Sequence, residues 1–275
     1  MSVSIASEAP APPRQRLVES HPVTLRRAIA SEWVKFRSLR SSGLMLAGAA
    51  IGMVALGLIV GWNTRRINAS LDPEDIVASA VLQGYYLGQL LIGALGVLFV
   101  SGEYSTGMIR STMAAVPRRL PVLIAKFVVF VTVTSITIIP SCVIAFVGGQ
   151  GIISRSRTGF SLGDPGVLRL VLGTGIYLVC IGVIGAACGW LVRNTPGALV
   201  TYFAIILVLP GIFGNVLGHW GKDLAQFFPS EAGASFVSSL HPPYTLGTWA
   251  GFTVLVAWVV IGLAASALSL RRRDV

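Results

Sequence analysis

The sequence predicts an all-α polytopic membrane protein with six transmembrane helices. Three observations predict it. Only 12% of the 275 residues are charged and 54% are hydrophobic, with a mean hydropathy of +0.77; a soluble domain carries about 25% charged residues. The apolar residues gather in six long runs, each near the roughly 20 helical residues needed to cross about 30 Å of hydrocarbon. The Lys and Arg residues collect on one side of those runs, as the positive-inside rule requires. The expected organisation is a disordered cytoplasmic tail over 1–23, an amphipathic elbow helix over 24–42 and a six-helix transmembrane domain over 43–275.

The tail holds Pro10, Pro12, Pro13 and Pro22 among small polar residues, and has no apolar core of the signal-peptide kind. The first apolar run starts at Leu44, so it is expected to remain as an uncleaved anchor. Ahead of it, in Thr24–Ser42, Leu25, Ile29, Trp33, Phe36 and Leu39 recur at helical spacing and fall within about a third of the helix circumference. Arg26, Arg27 and Arg37 sit mainly off that arc, while Glu32 and Arg40 intrude on it. Such a helix lies in the membrane interface, either as a topology anchor on anionic lipid or as an elbow that also touches a cytoplasmic partner.

The six spans are expected at Leu44–Trp62, Val77–Val100, Leu120–Val147, Val167–Val192, Gly197–Leu217 and Thr248–Leu270. No ionisable residue falls in the middle of any of them; Lys126 and Arg169 lie near span ends, from which long side chains snorkel to the interface. Gly48 and Gly52, Gly57 and Gly61, Gly84 and Gly88, and Gly185 and Gly189 are spaced by four residues, a pattern that lets helix backbones approach closely. Pro140 and Pro210 interrupt the third and fifth spans and are candidate kinks. Cys142, Cys180 and Cys188 all lie in apolar runs, an odd number with no zinc-like spacing to histidine, so neither a disulfide framework nor a metal site is expected.

With both termini cytoplasmic, 15 of the 21 Lys and Arg residues fall inside. The net charge of +10 then belongs wholly to the inner side, and the outer side is neutral. The basic character is a topology signal and does not call for nucleic acid.

Two further segments are candidates for function. Ser101–Arg119 follows the second span. Read as a helix, it places Met108, Ile109, Met113 and Val116 on one side and Glu103 and Arg110 on the other, until Pro117 ends it before Arg118 and Arg119. That is a docking surface or a solvated loop obeying the positive-inside rule. Gly218–Gly247, between the fifth and sixth spans, carries His219, Trp220, Phe227, Phe228, Phe236, His241 and Tyr244. These read as an interfacial aromatic belt, with short re-entrant or interfacial helices. No phosphate-binding P-loop motif is present, since Gly221-Lys222 lacks the upstream glycine and is followed by Asp223. His21, His219 and His241 all lie outside the spans, which argues against an intramembrane serine protease.

Three stretches resemble the six-span permease subunits of type 2 ABC exporters, in their actinobacterial form: Ser31–Arg40; Ser101–Arg110 continued by Val116–Arg119 and Lys126; and Ser269–Asp274. The central stretch is the most specific. Glu103, Tyr104, Gly107, Ile109 and Arg110 match the family's E-Y-[RS]-x-G-x-[IL]-R pattern. The resemblance implies that Glu103, Tyr104, Gly107, Ile109, Arg110, Pro117, Arg118 and Arg119 form a coupling helix for a separate ATPase subunit. It implies that Trp33, Lys35, Phe36 and Arg37 belong to the elbow helix. It further implies a multi-pass protein of the bacterial cytoplasmic membrane, paired with a second permease chain as a homo- or heterodimer. Such a subunit is no enzyme and holds no cofactor, ATP-Mg being bound by the partner. The expected cargo is an amphipathic or lipid-like compound, exported from the cell. The alternatives are a non-transporting membrane scaffold or immunity protein, and a secondary transporter.

Overall fold

The structure is a computed structural model, and it describes residues 24–67, 78–108, 119–154, 159–239 and 242–272. All regular structure among these residues is helical. Helix α1 (Leu25–Ser38) is followed by α2 (Arg40–Ile67), a short 3₁₀ turn at Ala80–Leu82, α3 (Tyr85–Ser105), α4 (Arg119–Ile153) and α5 (Val167–Val192). Next come α6 (Thr195–Phe203), a π-helical stretch at Ala204–Val208 and α7 (Leu209–Asn215), which together form one continuous rod. The chain ends with the short α8 (Gly218–Ala225) and α9 (Pro229–Val237), then α10 (Thr248–Arg272).

Six helices are long and apolar enough to cross a membrane: Arg40–Arg66, Ala80–Ser105, Leu120–Ile153, Val167–Val192, Thr195–Asn215 and Thr248–Arg271. Each overlaps a run expected from the sequence. Helices α3 and α5 form the centre, since 67% and 72% of their most apolar windows are buried against protein, compared with 22% for α2 and 17% for α10. Their close approach rests on glycine. A Cβ at Gly96 would run into the Gly182 carbonyl, and one at Gly185 into the Gly93 carbonyl. Helices α2 and α4 meet in the same way, through Gly57 against Ala145 and Gly61 against Gly149. With no side chain between them, the backbones gain dispersion contacts that lipid tails do not supply.

The central layer also buries polar groups in mutually satisfied sets. The Tyr177 hydroxyl donates to the Gln89 side-chain oxygen, and the Tyr202 hydroxyl donates to the Gln89 backbone carbonyl at 2.7 Å. Tyr85 meets Tyr177 edge to face, with ring centroids 5.6 Å apart. Cys142, Cys180 and Cys188 are free thiols within this apolar frame.

The two proline sites differ. Pro140 sits inside α4, which runs unbroken to Ile153. Pro210 follows the π-helical stretch, where the rod changes winding before α7; a residue without an N–H has no donor for the preceding turn.

Candidate functional site

At the end of the bundle that holds both ends of the described chain, four charged side chains meet. Helix α1 begins at the N-cap Thr24, whose hydroxyl accepts from Arg27 N–H at 3.4 Å. It turns Ala28, Glu32 and Phe36 inward. These residues are four apart, so they form a single stripe. Phe36 packs edge-on against Phe99 of α3, with centroids 5.3 Å apart. Glu32, only 1% exposed, reaches the start of α4 and meets Lys126, only 2% exposed, at 2.7 Å. Lys35 bonds Glu32 at 2.7 Å and Glu103 at 2.9 Å, and Lys126 closes the circuit to Glu103 at 3.0 Å. Each ammonium thus touches both carboxylates. The four charges sum to zero, and Lys126 also lies 4.4 Å from the Phe99 ring centroid.

Two ion pairs removed from water lose hydration worth several kcal/mol per ion, so such a cluster persists only where partners meet at hydrogen-bonding distance. Here the ring supplies them. For Lys35, burial opposes the charge, but hydrogen bonds to Glu32 and Glu103 and their negative charge outweigh it and hold its pKa above the ordinary 10.5. The ring therefore stays charged across the physiological range on its Lys35 side.

Several expectations change at this point. Lys126 does not snorkel to the interface, because Glu32 and Glu103 provide its counter-charge inside the protein. Phe36 faces protein and not lipid, whereas Trp33 is 47% exposed and Arg37 is exposed. The segment after the second span is not one helix through Glu103 and Arg110. Helix α3 ends at Ser105, the Thr106 N–H bonds back to the Gly102 carbonyl, and Gly107 takes a left-handed φ of +71°. A residue with a Cβ is disfavoured in that conformation, which is why glycine terminates the helix there. Glu103 accordingly belongs to the last turn of α3 and faces the ring.

Tyr104 packs edge-on against Trp190 of α5 at 5.9 Å, with the Arg193 guanidinium 5.7 Å from its ring. Arg193 caps α5 in a left-handed conformation and donates to the Ser269 carbonyl of α10 at 3.3 Å. Glu103 Oε2, the Tyr104 hydroxyl and Trp190 Nε1 are buried without a hydrogen-bond partner among the described residues. A buried polar atom left unpaired costs about 1–3 kcal/mol. Met108 is 46% exposed just beyond the turn. Ile109, Arg110, Pro117 and Arg118 lie outside the described residues; Arg119 opens α4, and its side chain lies outside them too.

The structure thus joins the elbow residue Lys35 to Glu103 of the central motif, packs Phe36 on Phe99, and adds Glu32 and Lys126, which were not site candidates. The signal for those two was present in two misfits: an acid on the apolar arc of α1, and a lysine within an apolar run. Both lie at one end of the bundle and carry opposite charge. At the other end, Arg169 also turns inward, donating to the Phe236 carbonyl at 2.6 Å.

Among the described residues no group of His, Cys, Asp and Glu is arranged to hold a metal ion. No known protein family matches the chain, and no curated protein matches it as a relative.

Proposed function

We propose that this protein is the membrane-spanning permease subunit of an ATP-driven exporter, of the type 2 ABC kind, driven by separate ATPase subunits. The observation that carries the reading is the charge ring. Two stretches singled out by their resemblance to such permeases, Ser31–Arg40 and Ser101–Arg110, are 68 residues apart at Lys35 and Glu103, yet meet at 2.9 Å. A lever that passes motion from an ATPase to the spans needs its parts fixed to each other, and the ring fixes α1 to the ends of α3 and α4.

In this reading both termini are cytoplasmic, and the turn at Gly107 with the segment beyond it meets the ATPase. Glu103 braces that turn from within. The exposed Trp33 and Val34 of α1, with Leu39 just beyond its end, rest at the level of the lipid headgroups. A second permease chain completes the pathway, and the cargo is amphipathic or lipid-like. The location is the bacterial cytoplasmic membrane.

The deciding experiment is affinity purification of the full chain from its native membrane, followed by an ATPase assay of what comes with it. An ATPase subunit should copurify, and its turnover should change when it is reconstituted with this chain. Absence of any copurifying ATPase from gently solubilised membranes, with the six-span protein intact, would overturn the reading in favour of a membrane scaffold.

A further inference from the structure

At the end of the bundle away from the charge ring, a cleft of about 380 Å³ opens between α7, α8, α9 and the loop that leads to α10. Its walls include Gly211, Asn215, Lys222, Gln226, Glu231 and Tyr244. Backbone irregularities converge on it. The rod of the fifth span passes from α to π winding over Ala204–Val208 immediately before the residues that line the cleft, and π-helical turns concentrate at functional sites. Across the cleft, Tyr244 holds a left-handed φ of +66°. That conformation is strained for a bulky residue and persists only when its surroundings enforce it. They do so here: the Tyr244 hydroxyl bonds His219 Nδ1 at 3.0 Å, and the Lys222 ammonium lies 5.7 Å from its ring centroid.

The charges in the cleft do not cancel by direct contact. Among the described residues no ion pair or hydrogen bond engages the Glu231 carboxylate, and none joins it to Lys222, although both line the same space. Two amides, Gln226 and Asn215, line the cleft beside them. Gln226 donates one N–H to the Asp223 carbonyl at 2.8 Å, and Asn215 donates one N–H to the Gly211 carbonyl at 2.9 Å, so each amide keeps a second N–H and its oxygen. The oxygens of both amides remain to receive donors. A group with N–H donors finds one carboxylate and two amide oxygens in this wall, and an anion finds the lysine.

We propose that the cleft binds a zwitterionic group, with a primary ammonium held by Glu231 and an anionic end held by Lys222. The ethanolamine-phosphate head of a membrane lipid has this chemistry, and so does the free headgroup. The exposed Val208, Ile212 and Val216 along the fifth span beside the cleft give a lipid's chains an apolar surface to follow. The inference goes beyond the transport reading and stands whether or not an ATPase partner exists.

The test uses the delipidated full chain in a mild detergent, titrated with O-phosphoethanolamine and followed by thermal shift and calorimetry. Parallel titrations use glycerol phosphate and ethanolamine, each bearing one of the two charges. Saturable binding of phosphoethanolamine is expected, with both single-charge analogues weaker. Glu231→Gln and Lys222→Gln should each weaken binding by about tenfold or more, the loss expected for one charge-assisted hydrogen bond. Lys222 and Glu231 are both exposed, so each variant tests the site separately and one serves if the other folds poorly. Nanodiscs of phosphatidylethanolamine, compared with phosphatidylglycerol, separate the two sources: competition with the soluble headgroup assigns the site to lipid, and its absence assigns it to the free zwitterion. Equal binding of phosphoethanolamine by wild type and Lys222→Gln, equal binding of glycerol phosphate, or no saturable binding of any of these probes would overturn the proposal.

Discussion

Glu103 shows how a single residue changes meaning once its neighbours are known. In the sequence it is an acid on a loop that follows an apolar run, which suits a charge offered to a partner. In the fold it is buried and shares two lysines with Glu32. Charge reversal at Glu103 is therefore a folding lesion and a poor probe of docking, since it would gather three cations around one carboxylate. Removing one member of such a buried pair costs about 3–5 kcal/mol, because the other is left uncompensated. Glu103→Ala and Lys126→Ala should each destabilise the protein by about that amount. The double variant should lose clearly less than the sum, because Glu32 and Lys35 remain as a neutral pair. Denaturation in detergent measures the cycle, and additive losses would mean that the ring is not a coupled unit.

At the scale of elements, α1 divides its work between two faces. Ala28, Glu32 and Phe36 attach it to the bundle, and Trp33 and Val34 look outward. Trp33→Asp should therefore loosen the helix from the bilayer while the ring holds it to the protein, as read by a spin label's accessibility to water-soluble relaxants. Phe36→Asp should disrupt folding instead; equal effects of the two variants would remove the distinction between the faces. Helices α3 and α5 depend on backbone contact at Gly96 and Gly185. Gly96→Ala drives a methyl into the Gly182 carbonyl, and overpacking of this kind costs about 1–3 kcal/mol. Gly102→Ala, where a Cβ meets nothing within 4 Å, should leave the melting temperature nearly unchanged. A Gly96→Ala protein as stable as Gly102→Ala would show that α3 and α5 can separate without loss.

Over the whole molecule, six apolar helices make a multi-pass membrane protein, and the charge bias supplies its expected orientation. A single cysteine at Asp223, exposed in α8, should react with an impermeant maleimide on intact cells in a cysteine-free background. A cysteine at Arg37, exposed in α1, should react only after permeabilisation. The reverse pattern would invert the topology and place the Gly107 turn away from any cytoplasmic ATPase. The outward faces of α2, the fifth-span rod and α10, buried over only 22%, 22% and 17% of their most apolar windows, are the parts of the bundle least covered by protein.

The sequence by itself determined the number and position of the spans, because crossing hydrocarbon requires an uninterrupted apolar run and each run is local. It also offered Gly57, Gly61 and Gly185 as points of close approach, whereas Gly93, Gly96 and Gly182 emerged only in the fold, and it left the segment after the second span as a helix or a loop. Only the tertiary structure decided between those two, through the φ of +71° that ends α3. It alone decided that Glu32, Lys35, Glu103 and Lys126 form one ring, since Glu32 and Lys126 are 94 residues apart in the chain and no local periodicity links them. The cleft at Glu231 and Lys222 has the same origin, being assembled from three short helices and a loop. A span is legible locally because lipid is the same everywhere along it. A charge inside protein is legible only with its partner, because the partner determines whether burying it is tolerated.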